Sequence, residues 1–589
     1  MTTLVLATKT PFESRKEFVR FVKSAARLIS EYWRSEKKVE AWTLLIGVTL
    51  LEFVGTAVGV YYTFWHRNLF DALELKDWGA LTDVASLWVV LIVILLIQKT
   101  VDMIITNVFL IRWRQWLSER TFARYMEGGS CHLLQLVDDV VDNPDQRIAE
   151  DLKKLVDSTN SFVFDFVRNM IRLPTYIGLL WIIAPPLEFS LGGSDYSIAG
   201  YIVYAAFIYA LISTVSIHMV AKRLVGLEAN YQAREADFRY ILIRIREFAE
   251  SILLGGGQKR EEGEVSDRYI GIKDAWYKLV RVRINMNIIR VILGQGVFAI
   301  PILVAAPLYI AGSITLGVLM QIRTVFAQVE GAFAWFANAY PQLAYWVASV
   351  NRVIVLERAI DQTIQIRRNS NIDRSSSETD SLEVQNLDVN LPNGEVLLSG
   401  LNLNINAGES VLIAGPSGGG KTTLFRALSG LWPWGEGRIA KPDAQVMFLP
   451  QKGYLPQGTL KSCACYPASP DQFDDEEVKR ILRLCCLPEF ADRIDEIQPW
   501  NVVLSGGEQQ RLLAARAILT KPDWLFADEA SSALDPDTED KIYQAFGDEL
   551  PTTTLVSIAH RRSLRKFHKR IITIDHGIVS DLLIADIND

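Results

Sequence analysis

The stretch Gly415-Pro416-Ser417-Gly418-Gly419-Gly420-Lys421-Thr422-Thr423 gathers three kinds of chemistry in one short run. Its glycines let backbone N–H groups turn inward and approach an anion with no side chain between them. Lys421 brings a full positive charge within reach of a β- and a γ-phosphate, and Thr422 offers a hydroxyl to Mg2+. The spacing G-x-x-x-x-G-K-T is that of a phosphate-binding loop, so a nucleotide is the expected ligand. The loop alone does not say what the nucleotide is used for.

Such a loop works only between a strand and a helix. The apolar run Ser410–Ala414 precedes it and the apolar-periodic run Leu424–Leu431 follows, so the helix N-terminus adds its partial positive charge. Other short β-type runs, Val411–Ala414 among them, are Val446–Leu449, Trp524–Ala527 and Thr554–Ile558, with helical stretches between. Residues 382–589 therefore read as an α/β nucleotide-binding domain. The preceding residues 361–381 are polar and serine-rich and read as a linker.

With 589 residues the chain is too long for one core, and 50% of them are hydrophobic. The long apolar runs all lie before about residue 336. Ala41–Trp65, Val84–Ile111, Ser161–Ala184, Ala199–Val220, Ile288–Ala311 and Ile314–Tyr340 are each long enough to cross hydrocarbon. Residues 41–360 thus read as a six-span α-helical membrane domain, with 112–160 and 221–287 as long helical extensions on one side. Nine Lys or Arg precede the first span, whereas the loop Pro185–Ile198 holds none. That bias puts the N-terminus, both extensions and everything after the sixth span in the cytoplasm, where ATP is.

Within residues 1–40, EFVRFVKSAARLISEYWR carries Phe18, Phe21, Val22, Ala25, Leu28, Ile29, Tyr32 and Trp33 on one stripe, as expected of a helix lying in a membrane interface. The early residues do not read as a signal peptide. Glu52 sits mid-span and Glu330 near the end of the sixth span; each needs a partner or a polar cavity, either as a structural bond or on a translocation path. A net charge of −7 implies no bulk affinity for nucleic acid. The five cysteines include no C-x-x-C pair and read as reduced thiols rather than a zinc site.

Downstream of Lys421 stand FLPQ ending at Gln451, LSGGEQQR from Leu504 to Arg511, WLFADEA with Asp528 and Glu529 at a strand end, SALD from Ser532 to Asp535, and SIAH ending at His560. In that order they resemble the signals of an ABC transporter whose membrane and ATPase domains share one chain, and the resemblance covers nearly the whole sequence. NPDQRIAED (Asn143–Asp151), EADFRYILIRIREFAESI (Glu235–Ile252) and LPQKGYLPQGTL are similar to the bacterial YddA/BclA-like group, which is related to SbmA/BacA-type peptide transporters and to peroxisomal fatty-acyl transporters.

The resemblance implies an exporter-type membrane domain, ATP with Mg2+, and a homodimer in the inner (plasma) membrane. It makes Glu529 the residue that polarises the attacking water and Asp528 a Mg2+ holder beside Thr422. Gln451 becomes a sensor of Mg2+ and γ-phosphate, and His560 a donor to that phosphate. Ser505, Gly506, Gly507 and Glu508 would close over ATP held by the other subunit. Phosphoryl transfer asks mainly for such positioning and charge stabilisation. The implied cargo is a bulky or amphipathic solute: a peptide, a cobalamin-like compound or an acyl chain. A membrane-bound ATPase sensor without cargo is the non-transport alternative. One departure stands out: Leu387–Pro392, where the family often has an adenine-stacking aromatic, contains none.

Overall fold

Each of the six apolar runs falls, apart from a few end residues, in helical segments of the computed structural model, which describes residues 15–137, 143–191, 194–377, 379–416, 418–559, 561–575 and 578–583. The chain divides into two compact units. One is Met1–Ala123 with Asp142–Arg358; the other is Arg124–Val141 with Ala359–Asp589.

The first unit is built from Lys38–Leu75, Trp78–Met126, Asp165–Ile183, Tyr201–Glu247, Gln258–Ile310 and Leu316–Arg368. Four of the described helices, the first, second, fourth and fifth of these, are long and apolar enough to cross a membrane. The other two carry Asp165, Arg168 and Arg172, or Arg323 and Glu330, which lowers their hydropathy. Large apolar side chains such as Leu96, Ile104, Phe207 and Ile310 remain exposed on the outside, as lipid-facing residues must be. The loop between the third and fourth helices closes as an antiparallel hairpin, Leu187–Leu191 against Ser194–Ile198.

Glu52 is only 3% exposed. Its Oε1 meets Arg168 Nη2 at 2.5 Å and Arg168 Nε at 2.7 Å, and Arg168 Nη1 reaches Asp165 at 2.9 Å. The mid-span acid is therefore an inter-helix ion pair, the arrangement that makes a buried charge tolerable in lipid. Glu330 accepts from Ser213 Oγ at 3.4 Å.

Two expectations are corrected. The N-terminal helix Arg15–Ser30 does not lay its apolar stripe on lipid: Phe21, Ala25 and Leu28, with Tyr32 beyond the helix end, are buried against Phe109, Trp113, Leu155 and Val353. Amphipathicity selects an apolar neighbour without specifying whether it is lipid or protein, and here protein fills the place. Residues 361–381 are not a linker either. The sixth helix continues to Arg368, and Asn371–Ser376 is an edge strand paired in parallel with Gly435–Lys441. It reads as polar because most of its side chains face solvent.

In the second unit, a six-stranded sheet has the order Ile578–Leu583, Arg570–Asp575, Ser410–Ala414, Thr554–Ile558, Trp524–Asp528, Val446–Leu449. All neighbours are parallel except the first pair. The central strands are almost continuously apolar, as strands covered on both faces must be. A four-stranded sheet, Asn371–Ser376, Gly435–Lys441, Ser381–Asn390, Val396–Asn406, packs its Ile372, Leu382, Val389 and Ile439 into the same apolar cluster as Val411 and Val556.

Candidate active site

Ser410–Ala414 lies between two parallel strands, so the loop that follows it emerges from the middle of the sheet crest. Gly415 has φ 145°, and a Cβ there would overlap the carbonyl oxygen of Ile574. Gly418 at φ 81° and Gly420 at φ 86° are left-handed, which turns the backbone N–H groups inward. Gly420 is also the N-cap of the helix Lys421–Ser429, whose first turn contains Thr422 and Thr423.

Lys421 is 6% exposed, and its Nζ donates to the carbonyls of Gly415 at 2.9 Å and Pro416 at 2.7 Å. The bonds hold the amine under the arch of the loop. Burial lowers its pKa, and the charges of Glu529 and Asp528 pull it back up. Gly419 closes the turn by donating its N–H to Pro416 at 3.2 Å. Ser417 lies outside the described residues, as does His560.

Thr422 Oγ1 stands 3.2 Å from Asp528 Oδ1. A hydroxyl and a carboxylate at that spacing are a hard-oxygen pair that would suit Mg2+. Burial raises the pKa of Asp528; the Thr422 hydroxyl works against that shift and Glu529 adds to it. A bound cation would act against that shift.

Glu529 follows directly, in the left-handed region at φ 47°. For a residue with a Cβ this costs roughly 1–3 kcal/mol and needs a local cause. Its N–H donates to Ile558 on the adjacent strand at 3.0 Å, and its Oε2 accepts from Gln451 Nε2 at 2.9 Å. The turn thus aims the carboxylate at Gln451, on the same crest as Thr422.

Ser505 caps the helix Gly506–Thr520 in a reciprocal box. Glu508 N–H donates to Ser505 Oγ at 3.4 Å, and Ser505 N–H donates to Glu508 Oε2 at 2.7 Å. Gly506 at the exposed helix start and Gly507 beside it leave that N-terminus open to an anion. Ser505 and Glu508 bond to each other, and among the described residues no hydrogen bond joins them to the loop 415–423.

Sequence reasoning missed one participant. The helix Ser130–Val137 groups with the second unit, and its His132 lines a cavity of about 430 Å³ together with Thr422, Arg426, Gln451 and Asp528. Leu136 packs on the core cluster, and Arg367 donates to the Gly128 carbonyl at the start of the segment. Burial lowers the pKa of His132, and Arg426 lowers it further. The available signal was the apolar octet SCHLLQLV after two glycines within a charged extension. Beside Leu387–Pro392, which lacks an aromatic, Trp432 Nε1 donates to Asn390 O at 2.8 Å and Asn390 N–H donates to Trp434 O at 3.1 Å.

Two family models match the chain: "ABC transporter transmembrane region 2" over residues 28–310 and "ABC transporter" over 398–532. The inner membrane ABC transporter ATP-binding protein YddA of Escherichia coli is 30% identical over 91% of this chain and 94% of its own length. The chloroplastic ABC transporter D family member 2 of Arabidopsis thaliana is 28% identical over 93% and 85%, respectively. The human lysosomal cobalamin transporter ABCD4 is 26% identical over 95% of each chain. Among solved structures, a bacterial Atm1-family ABC exporter with ATP bound superposes with a TM-score of 0.71, at 21% identity, over 92% of this chain and 96% of that one.

Proposed function

The chain belongs to the ABC transporters, with membrane and ATPase domains fused in an exporter-type fold, and on that premise we propose that it moves a bulky or amphipathic solute across the inner (plasma) membrane as a homodimer. ATP hydrolysis coupled to translocation is the activity of that family. The observation that carries the proposal is the half-site on the sheet crest: Lys421 under its loop, Thr422 against Asp528, and Gln451 against Glu529.

In this reading the loop 415–423 binds the phosphates of ATP through its backbone N–H groups, and Lys421 releases the two carbonyls to contact the β- and γ-phosphates. Mg2+ held by Thr422 and Asp528 would neutralise the phosphate oxygens. Glu529 orients and polarises the attacking water, Gln451 holds Glu529 in place and senses the metal, and His560 donates to the γ-phosphate. Ser505–Glu508 of the second copy cover that nucleotide. The self-capped helix Gly506–Thr520 supports this arrangement, since the Ser505 hydroxyl and the Glu508 carboxylate at its start are already engaged with each other. The N-terminus and ATPase domain lie in the cytoplasm by the distribution of basic residues.

Peptides are the first cargo class, from the resemblance to the YddA/BclA-like group. Cobalamin-like compounds follow, from the name of the human relative. Acyl chains come third, from the resemblance to peroxisomal transporters. Fold does not give direction. Proteoliposomes loaded with ATP and offered labelled antimicrobial peptide, cobalamin or acyl-CoA test the reading, with Lys421→Ala as control. Vectorial movement that Lys421→Ala abolishes without loss of membrane insertion supports transport. ATPase activity that moves none of the three would favour a sensor.

A further inference from the structure

Arg323 stands roughly a third of the way along the sixth apolar run, in the helix Leu316–Arg368. Arg168 in the third helix is matched by Glu52 and Asp165. Arg323 is not: among the described residues no carboxylate comes within ion-pair reach, and its Nε is buried without a hydrogen-bond partner. Its guanidinium instead lies over Phe298 of the helix Gln258–Ile310, with Cζ 5.1 Å from the ring centroid. Such a contact uses the face of the guanidinium and leaves its N–H edge able to bind an anion. Phe298 is 55% exposed, so the pair borders open space rather than packed core. An arginine at membrane depth faces a watery cavity or a partner rather than lipid.

The surroundings fix its place. Gln321 Nε2 donates to Thr63 Oγ1 at 3.2 Å, with both residues buried, which ties this stretch to the helix Lys38–Leu75. One turn beyond Thr63, His66 has a buried Nδ1 without a partner and lies within electrostatic reach of Arg323. Orphaned buried polar atoms cost free energy that a ligand can recover. Glu330 follows Arg323 by seven residues, or two turns, so both side chains leave the same face of the helix. The rise separates them by about 10 Å along the axis. Glu330 accepts from Ser213 Oγ, and among the described residues no cation comes within ion-pair reach of it. One helical face thus presents a positive and a negative pole.

We infer that Arg323 and Glu330 form a cargo site for a zwitterion, Arg323 taking a carboxylate and Glu330 an ammonium, with short peptides bearing free termini as the ligand class. Three extended residues span about 10 Å, which matches the separation of the two poles. The guanidinium fork binds a carboxylate through two parallel bonds, so the C-terminus carries most of the recognition. The inference rests on the transport reading above and narrows its cargo.

The test uses the full-length chain in lipid nanodiscs and equilibrium binding of tritiated trialanine. Three blocked forms accompany it: the C-terminal amide, the N-acetyl peptide and the peptide blocked at both ends. The parent protein should bind the amide at least about tenfold more weakly than free trialanine, the scale of a lost charged hydrogen bond. Acetylation should cost about threefold or more. Arg323→Gln should bring free and amidated peptide to equal affinity while acetylation still costs. Arg323→Lys should restore the preference only in part, since an ammonium lacks the fork. Glu330→Gln should erase the cost of acetylation and keep that of amidation, a crossed pattern that a merely structural role would not produce.

A parent protein that binds all four forms alike, or none, would overturn the inference. So would an Arg323→Gln protein that loses free and amidated peptide equally and melts lower, which would assign Arg323 to folding or to a carboxylate of the second copy. ATP-driven movement of the same peptides across proteoliposomes, with Lys421→Ala as control, separates the inference from the reading beneath it. Terminus-selective binding without movement supports the site and overturns transport. Movement indifferent to the termini supports transport and overturns the site.

Discussion

Gln451 Nε2 and Glu529 Oε2 are 2.9 Å apart across the ends of two adjacent parallel strands, Val446–Leu449 and Trp524–Asp528. The acid is thus held by an amide in front and by the Ile558 carbonyl at its backbone. Glu529→Gln preserves this frame and removes the charge that polarises water. Hydrolysis should fall by at least about 100-fold, the low end for loss of a general base, with ATP affinity retained. Single-turnover hydrolysis beside nucleotide titration checks it; unaltered turnover would assign the base elsewhere.

Gly415 and Gly418 both have positive φ, but only Gly415 faces a backbone oxygen where a Cβ would sit; at Gly418 the space is open. Gly415→Ala should therefore cost more than the backbone strain alone, above roughly 1–3 kcal/mol, and abolish nucleotide binding. Gly418→Ala should stay within that strain. Calorimetric melting of the two variants side by side decides it, and equal losses would contradict the overlap at Ile574.

His568 is buried, with Nδ1 at 2.8 Å from Leu564 O and Nε2 at 2.9 Å from Ser557 Oγ. Burial holds its pKa below the ordinary 6.5, with the Leu564 carbonyl acting in the opposite sense. The unfolded chain takes up a proton near pH 6.5 and the folded chain only at lower pH. The stability from keeping the ring neutral is complete above about pH 6.5 and is lost as pH falls through the folded value. His132 acts in the same direction. Melting temperature should be level above neutrality and drop below about pH 6.5, and His568→Gln should flatten part of that drop.

Glu52→Ala leaves Arg168 with Asp165 as its remaining acid partner in the membrane domain. The expected loss is about 3 kcal/mol, the low end for a broken buried pair. Glu52→Leu combined with Arg168→Leu should recover most of it. Thermal unfolding in detergent measures both, and a Glu52→Ala protein as stable as the parent would mean the pair carries no weight.

The arrangement on the sheet crest was legible where a described residue sits at a strand end or a helix start, because local pattern and chemistry coincide there. Asp528 closes an apolar strand, and Lys421 opens a helix after glycines. What was illegible depended on distant partners. Asn371–Ser376 looks like a linker until Gly435–Lys441 is placed beside it. The stripe of Phe21 and Leu28 fits lipid and Trp113 equally well. His132 gains meaning only from the fold, which groups the helix Ser130–Val137 with residues roughly 290 to 400 positions further along the chain.

The helix Gln258–Ile310 has 53 residues. At about 1.5 Å per residue it is roughly 80 Å long. The hydrocarbon it crosses is about 30 Å thick, so well over half of its length projects as a stiff rod. Such a rod has a gear ratio. A tilt of about 5° over roughly 50 Å of free length displaces the tip by about 4 Å while barely disturbing the packed end. A displacement of that size at the projecting end would arrive in the bilayer as a small rotation, and much larger swings at the tip would be needed to part the helices widely.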